Sequence, residues 1–347
     1  MTPVLRVLRS GTTNPWFNLA TEDWLFRELS GETHVLFLWR NVSSVVIGRH
    51  QNPWVECDLA RMTAENVLLA RRQSGGGAVY HDEGNTNFTF ISPTRTYDRD
   101  ENFEIVIRAL RDLGVPAHRS DRNDILVSTS AGDRKVSGNA FKHTRERSFH
   151  HGTLLINADL GRLARYLTPE SRRFKARGTR SVSSPVVNLV TVGGDYVTHE
   201  SVCNAVAESF IAYRGKGTGT VETEFLDEET LTRIPSLDEY YRTMIDWDWQ
   251  FGTTPEFVHT ITVPGELEDI RIELVVNRGR IASVVVECAQ DHDWKANGLG
   301  RALEHALSGV KYDGSMIRSA LDDSCETGFP SRQEWTALIS RLVEDII

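Results

Sequence analysis

Apolar positions along the chain recur at two spacings, and the switch between them marks out helices and strands. Trp16, Leu19, Ala20, Phe26 and Leu29 form a helical face that ends before Gly31. Asn14-Pro15 ahead of it supplies a capping side chain and a proline suited to the first helical position. Residues 35–39 and 44–48 read as short strands joined by a turn at Asn41, 56–66 as a helix, and 68–72 as a strand running into Ser74-Gly75-Gly76-Gly77. Residues 78–81 and 86–92 flank Asp82-Glu83-Gly84-Asn85 in the manner of a hairpin. A helix over 103–113 precedes a second hairpin, 125–129 with 135–142, about Ala131-Gly132-Asp133. A strand over 148–157 and helices near 159–167 and 200–213 follow.

Helices interleaved with hairpins predict an α+β fold on mixed or antiparallel sheet, not a doubly wound nucleotide fold. The 347 residues suit two domains. The run Trp247-Asp248-Trp249-Gln250-Phe251-Gly252-Thr253-Thr254-Pro255 breaks the periodicity. It predicts a catalytic domain over 1–248, a linker over 249–257 and a small α+β domain over 258–347. The last holds a hairpin of 270–276 and 281–288 around Asn277-Arg278-Gly279, with helices over 298–307 and 332–346.

Composition narrows the function. The absence of an apolar run of eighteen or more residues argues against a membrane span. The N-terminus reads as the start of the fold, not a signal peptide, so a cytoplasmic protein is expected. The four cysteines, Cys57, Cys203, Cys288 and Cys325, form no CxxC pair and read as reduced thiols. A net charge of −9 argues against a general nucleic-acid binder. Arg162, Arg165, Arg172, Arg173, Lys175, Arg177 and Arg180 nevertheless cluster, either as a solvated face or as a dock for something anionic.

Four segments carry candidate chemistry. In Arg71-Arg72-Gln73-Ser74-Gly75-Gly76-Gly77-Ala78-Val79-Tyr80-His81, three glycines let backbone N–H groups approach an anion, and Arg72 adds a planar fork for phosphate or carboxylate. A tight turn is the plainer alternative. The segment is not a P-loop, since no Gly-Lys-Ser/Thr follows. In Arg134-Lys135-Val136-Ser137-Gly138-Asn139-Ala140, strand alternation puts Lys135, Ser137 and Asn139 on one face, suited to carboxylate and phosphate or simply solvated. Asn123-Asp124 at a strand start suits either Mg²⁺ on a nucleotide or a turn. His150 and His151 lie on opposite faces of a strand and cannot chelate one metal together.

Taken with Asn14-Pro15-Trp16-Phe17-Asn18-Leu19-Ala20, Leu36-Phe37-Leu38-Trp39-Arg40-Asn41, Val46-Ile47-Gly48-Arg49, Gln51-Asn52-Pro53-Trp54, Gly84-Asn85-Thr86 and His150-His151-Gly152-Thr153, these segments resemble the lipoate–protein ligase A family over essentially the whole chain. The resemblance implies a large catalytic domain akin to biotin protein ligases and a small C-terminal domain. It implies that lipoate and ATP give lipoyl-AMP and pyrophosphate, and that an acceptor lysine then takes the lipoyl group. Acceptors would be the lipoyl domains of 2-oxoacid dehydrogenase complexes and the glycine cleavage H protein, met by a monomeric enzyme. By the same resemblance Lys135 is the central basic residue, contacting first the carboxylate and then the adenylate phosphate. Arg72, Ser74, Gly75, Gly76, Gly77, Ala78 and Val79 form the lipoate-binding loop. Leu19, Trp39, His81, Phe149 and His151 line the lipoate pocket, with Ser137 and Gly138 beside it. Asn123, Asp124, Ala140, Thr179 and Ser181 fall at nucleotide positions, with Asp124 toward Mg²⁺. Residues 167–185 resemble a loop closing over the adenylate. Lys142 stands where the family has arginine, which puts a bidentate contact there in doubt.

Carboxylate attack on ATP must overcome like-charge repulsion, and the cationic and amide groups above are of the kind that offset it. An aliphatic slot gains roughly 0.8 kcal/mol per buried CH₂ and discriminates poorly against octanoate. An octanoyl or lipoyl transferase of the same superfamily is the nearest rival. It would need a cysteine nucleophile, and no cysteine falls in these segments. A non-catalytic lipoate-binding protein is the other rival, against which the intact Lys135 segment weighs.

Overall fold

The structure, a computed structural model, describes residues 4–29, 31–167, 174–182, 184–215, 221, 223–263, 270–288, 293–324 and 338–343. The chain forms two compact units. One comprises Met1–Arg49, Glu65–Leu167 and Arg180–Asp246; the other comprises His50–Ala64, Thr168–Thr179 and Trp247–Ile347.

The first unit is built on strands β1 (Val4–Ser10), β2 (Thr33–Trp39), β3 (Ser44–Ile47), β4 (Leu68–Arg71), β5 (Val79–His81), β6 (Asn85–Pro93), β7 (Ala117–Arg119), β8 (Ile125–Thr129), β9 (Gly132–Ser137), β10 (Asn139–His143) and β11 (Arg147–Leu155). A six-stranded sheet runs β10-β11-β6-β2-β1 and ends on the strand Thr223–Leu226. β1 is parallel to both its neighbours, while β2, β6, β11 and β10 pair antiparallel, so the sheet is mixed. The period of two then sorts the side chains by face. Leu36, Leu38, Phe88, Phe90 and Leu154 enter the core with Phe103, Val106 and Leu110 of the helix Arg99–Asp112 and Val202, Val206 and Phe210 of His199–Arg214. Each such side chain gains about 1.5–3 kcal/mol from burial. The opposite face carries three cross-strand rows: Trp39–Asn87–Thr153, Phe37–Thr89–His151 and Val35–Ile91–Phe149. Helix α1 (Pro15–Glu28) packs against this second face through Phe26 on Phe149, ring centroids 5.0 Å apart. Its start is as the sequence predicts, with the Asn14 side chain accepting from the N–H groups of Trp16 and Phe17.

Several expectations are corrected. β5 and β6 do not form a hairpin: β5 pairs with β3 in a three-stranded sheet, and β6 joins the large one. The turn between them is fastened elsewhere. Asp82 accepts from the N–H of Gly84 at 2.9 Å and of Asp159 at 2.8 Å, and the Gly84 carbonyl accepts from Ile156 and Asn157. The strand expected over 135–142 breaks at Gly138, whose N–H and C=O both bond Thr153, so β9 pairs with β8 and β10 with β11. The helix expected over 56–66 is two short ones, Pro53–Glu56 and Leu59–Ala64, because Cys57 is extended.

The second unit has a four-stranded antiparallel sheet of Phe174–Ala176, Phe257–Val263, Ile270–Asn277 and Arg280–Cys288. Its core holds Trp54, Phe257, Ile261, Ile272, Leu274, Leu303, Tyr312 and Ile317. The predicted hairpin closes through Arg278 (φ 49°) and Gly279 (φ 68°), the two left-handed residues of a type I′ turn. The segment 249–257, expected as a linker, is packed: Trp249, Gln250, Thr254 and Phe257 are buried, and Trp54 lies 5.3 Å from the rings of Phe251 and Phe257. Aromatic density holds it where periodicity is missing. Of the helix expected over 332–346, residues 338–343 are helical and the rest lie outside the described residues.

Candidate active site

The polar rows of the large sheet and the inner side of α1 form one buried network. Glu22 of α1 accepts from the Thr89 hydroxyl at 2.7 Å and meets His151 Nδ1 at 2.8 Å. His151 Nε2 meets the Ser74 hydroxyl at 2.8 Å, and Arg72 Nε donates to that same hydroxyl at 3.0 Å. Trp39 Nε1 donates to Thr89 at 3.1 Å. Phe149 stands 5.0 Å from the His151 ring, and Leu19 is buried one helical turn before Glu22. His81 lies beside Trp39, ring centroids 6.0 Å apart. Of the residues expected to line an acyl pocket, Trp39, Phe149 and His151 share this sheet face, Leu19 lies on α1 and His81 on β5 beside Trp39. Adjacent His150 points the other way, among Phe88, Phe90, Phe103 and Phe141. Burial there holds its pKa well below the ordinary histidine value.

The glycine loop departs from expectation in one respect. Arg72 does not present its fork to an anion. It is buried, and donates to the carbonyls of Val46, Gly75 and Gly77 as well as to Ser74. Burial pushes its pKa down to about 10. Five N–H donors in a rigid fork can organise a loop that has few side chains of its own. What the loop offers an anion is backbone: the N–H groups of Gly75, Gly76 and Gly77 donate to none of the described residues. Gly76 sits at φ 95°, and a Cβ at Gly48 would fall 2.4 Å from the Gly76 carbonyl oxygen, so both positions need glycine. Ala78 N–H donates to the Ser181 hydroxyl at 2.9 Å, Val79 opens β5 opposite Val46, and Ala140 on β10 lies across from Gly76.

Lys135 extends from β9, its backbone pinned by bonds to Pro185 and Val187, and its ammonium lies 2.8 Å from Asp124 Oδ1. Both side chains are partly exposed. Asn123 and Asp124 do form a turn, held by the Ser120 hydroxyl on the Asp124 N–H, with Asn123 at φ 64°. The Asn123 side chain accepts from Arg119 at 2.8 Å, and its carbonyl from Asn139. Asn139 also donates to Ser137. The turn reading therefore holds, and the Asp124 carboxylate also pairs with Lys135. One carboxylate is a donor set that suits Mg²⁺, which takes one or two and completes its shell from phosphate and water.

Sequence reading missed Glu22, Asp23, Gln73 and Asn41. Gln73 donates to Asp23 at 3.0 Å and accepts from Lys142 at 3.0 Å and Arg49 at 2.6 Å. Lys142 therefore makes a point contact inside the protein, where an arginine would offer a fork. The available signal was that Glu22 lies on the same arc of α1 as Leu19 and Phe26, an acid inside an apolar stripe. The described members of the basic cluster are divided between the two units. Arg162 and Arg165 face Glu65 at 3.9 and 3.4 Å, and Lys175, Arg177 and Thr179 belong to the second unit. Arg172, Arg173 and most of the expected closing loop's first half lie outside the described residues.

The mixed α+β fold carries a glycine loop whose central amides donate to none of the described residues and a strand-borne lysine–aspartate pair, groups of the kind that meet anions. The family model of the lipoyl protein ligase A/B catalytic domain matches residues 14–211, and the chain belongs to that family. It is 50% identical over 321 residues to "Lipoate-protein ligase A" of Psychrobacter cryohalolentis, covering 92% of each protein. Among solved structures it resembles P. falciparum LipL1 in complex with lipoate (28% identity, TM-score 0.62, covering 98% of this chain and 99% of that one). It also resembles the bipartite lipoate protein ligase of Thermoplasma acidophilum, solved in a study of that ligase and its E2 lipoyl domain (26%, TM-score 0.57, 72% and 96%). A lipoate-protein ligase A bound with ATP is similarly close (25%, TM-score 0.55, 72% and 96%).

Proposed function

We propose that the protein is an ATP-dependent lipoate–protein ligase working in the cytoplasm through a lipoyl-AMP intermediate. The observation that carries this reading is Lys135, held 2.8 Å from Asp124 in a family whose members bind lipoate and ATP. A lipoate carboxylate oxygen attacks the α-phosphorus of ATP, the bond to the β-phosphate oxygen breaks, and pyrophosphate leaves. The amine of an acceptor lysine then attacks the acyl carbon, AMP leaves, and the amine loses a proton. Lys135 and the amides of the glycine loop offset the negative charge that gathers in both steps. Mg²⁺, when bound with the nucleotide, would be held by Asp124 and supply further charge neutralisation. Acceptors are lipoyl domains of 2-oxoacid dehydrogenases and the glycine cleavage H protein, in keeping with the archaeal ligase described together with its E2 lipoyl domain.

The test is pyrophosphate release with ATP and lipoate, octanoate or biotin, followed by mass gain of a purified lipoyl domain. Release with lipoate and an added lipoyl mass are expected. Transfer that proceeds without ATP would overturn the reading in favour of a thiol-dependent transferase.

A further inference from the structure

The large sheet ends on two strands, Thr223–Leu226 and β10. β10 pairs only with β11, so one of its sides is open. The hydrogen bonds at the two ends of this hairpin fix which groups the open side carries. Thr153 N–H donates to the Gly138 carbonyl at 3.0 Å, and Thr144 N–H to that of Arg147 at 2.8 Å. Between them the register pairs Ala140 with His151 and Lys142 with Phe149. Bonded and unbonded residues alternate along an antiparallel ladder. Gly138, Ala140, Lys142 and Thr144 therefore bond toward β11. Asn139, Phe141 and His143 turn their N–H and C=O groups the other way, and none of these groups has a hydrogen-bond partner among the described residues. Solvent reaches this strand, since Asn139 and Phe141 are partly exposed and His143 is exposed.

A free row of donors and acceptors is a template for a further strand, and proteins usually blunt such edges. The place of this one is informative. A Cβ built on Gly138 would lie 3.2 Å from Lys135 Nζ, so β10 begins at that ammonium. Ala140 Cβ lies 3.8 Å from where a Cβ on Gly76 would stand. The open edge thus starts at Lys135 and runs alongside the glycine loop. The other edge of the sheet, Thr223–Leu226, is four strands away across β11, β6, β2 and β1.

We propose that the lysine-bearing segment of the acceptor adds to β10 as a strand, bonding the outward groups of Asn139, Phe141 and His143. The inference rests on the ligase reading above and names the surface that the acceptor meets. In the transfer step the acceptor amine must reach an acyl carbon held at Lys135, and the segment carrying that amine has to pass the start of β10. Strand addition suits this task. Main-chain bonds supply affinity and fix the direction of the segment, while leaving its side chains free to differ between acceptors. They also hold the lysine in register with Lys135 without using any group that the adenylation step needs.

Residue-resolved amide hydrogen exchange on the whole enzyme separates a strand from a general covering. The enzyme is held with a stable analogue of lipoyl-AMP and then mixed with a purified apo lipoyl domain. With the domain bound, the N–H groups of Phe141 and His143 should exchange about tenfold more slowly or better, while those of Ala140 and Lys142, already in the ladder, change little. His143→Pro removes one outward N–H and breaks no bond to β11. His143→Ala controls for the ring, which touches Ser148 and Tyr97. The proline variant should raise KM for the domain roughly three- to tenfold over the alanine variant, with pyrophosphate release unchanged in both. A bound domain that leaves Phe141 and His143 exchanging as before, or equal KM for the two variants, overturns the inference while wild-type pyrophosphate release stays normal. Slowing that grows with enzyme concentration in the absence of the domain also overturns it and gives the edge to a second copy of the chain. Wild-type protein that releases no pyrophosphate with any of the acids overturns the ligase reading; the exchange measurement needs neither turnover nor a variant and decides the edge separately.

Discussion

Replacing Glu22 by alanine removes the only carboxylate that both the Thr89 hydroxyl and His151 Nδ1 contact in the described structure. Glu22, Thr89 and His151 are buried, so water does not take its place. Each donor left without an acceptor costs about 1–3 kcal/mol, and two give about 2–6 kcal/mol before any cavity is counted. Glu22→Gln keeps the volume and one carbonyl oxygen. If that oxygen serves both donors, only the charge assistance is lost, about 1–2 kcal/mol. The expected order is therefore alanine well below glutamine, and glutamine below wild type. Urea unfolding followed by tryptophan fluorescence and far-UV circular dichroism measures it, with coincident transitions licensing a two-state free energy. Thr89→Val adds a check, because Thr89 also accepts from the Trp39 indole, so its loss and that of Glu22 should be non-additive. Alanine and glutamine variants of equal stability, or an alanine variant within about 0.5 kcal/mol of wild type, a surface-like change, would refute the network's role.

Lys135→Ala should keep the fold, since the side chain is partly exposed, yet lose roughly 10²–10³ in pyrophosphate release; near-normal release would remove Lys135 from the chemistry. Gly48→Ala places a methyl 2.4 Å from the Gly76 carbonyl oxygen and should displace the glycine loop, read as a raised KM for ATP or lipoate with little change in secondary structure. The Cys203 thiol is buried and its pKa pushed up to about 12, so it should resist thiol reagents at pH 8 until the protein is unfolded, and Cys57→Ser with Cys203→Ala should still ligate lipoate. Buried His81 and His150 stay neutral in the fold while unfolded histidines take up protons below about pH 6.5. Stability should therefore fall with pH from about 6.5, by up to about 1.4 kcal/mol per pH unit per histidine, for His81 down to pH of about 3. A flat urea midpoint between pH 6.5 and 4.5 would contradict this.

What the sequence disclosed and what it concealed follow from the range of the forces involved. Helix α1 was legible because Asn14 and Pro15 act within one turn of it, and the hairpin closed by Arg278 and Gly279 because two residues set its twist. Sheet membership was not, because Asp82-Glu83-Gly84-Asn85 turns the chain equally well into a hairpin or across to another sheet, and the deciding contacts come from Ile156, Asn157 and Asp159, over seventy positions away. The same distance hides why residues 50–64 and 174–179 fold with the second unit: Trp54 and Phe174 meet the ring of Phe257. In the site, residue type announced charge but not its employment. Arg72 reads as an anion fork and is used on carbonyls, whereas Glu22 and Asn41 read as ordinary polar positions and tie the buried network to His151 and to His81. Polar groups inside an apolar stripe are the more telling kind of residue, because burial obliges each to find a partner.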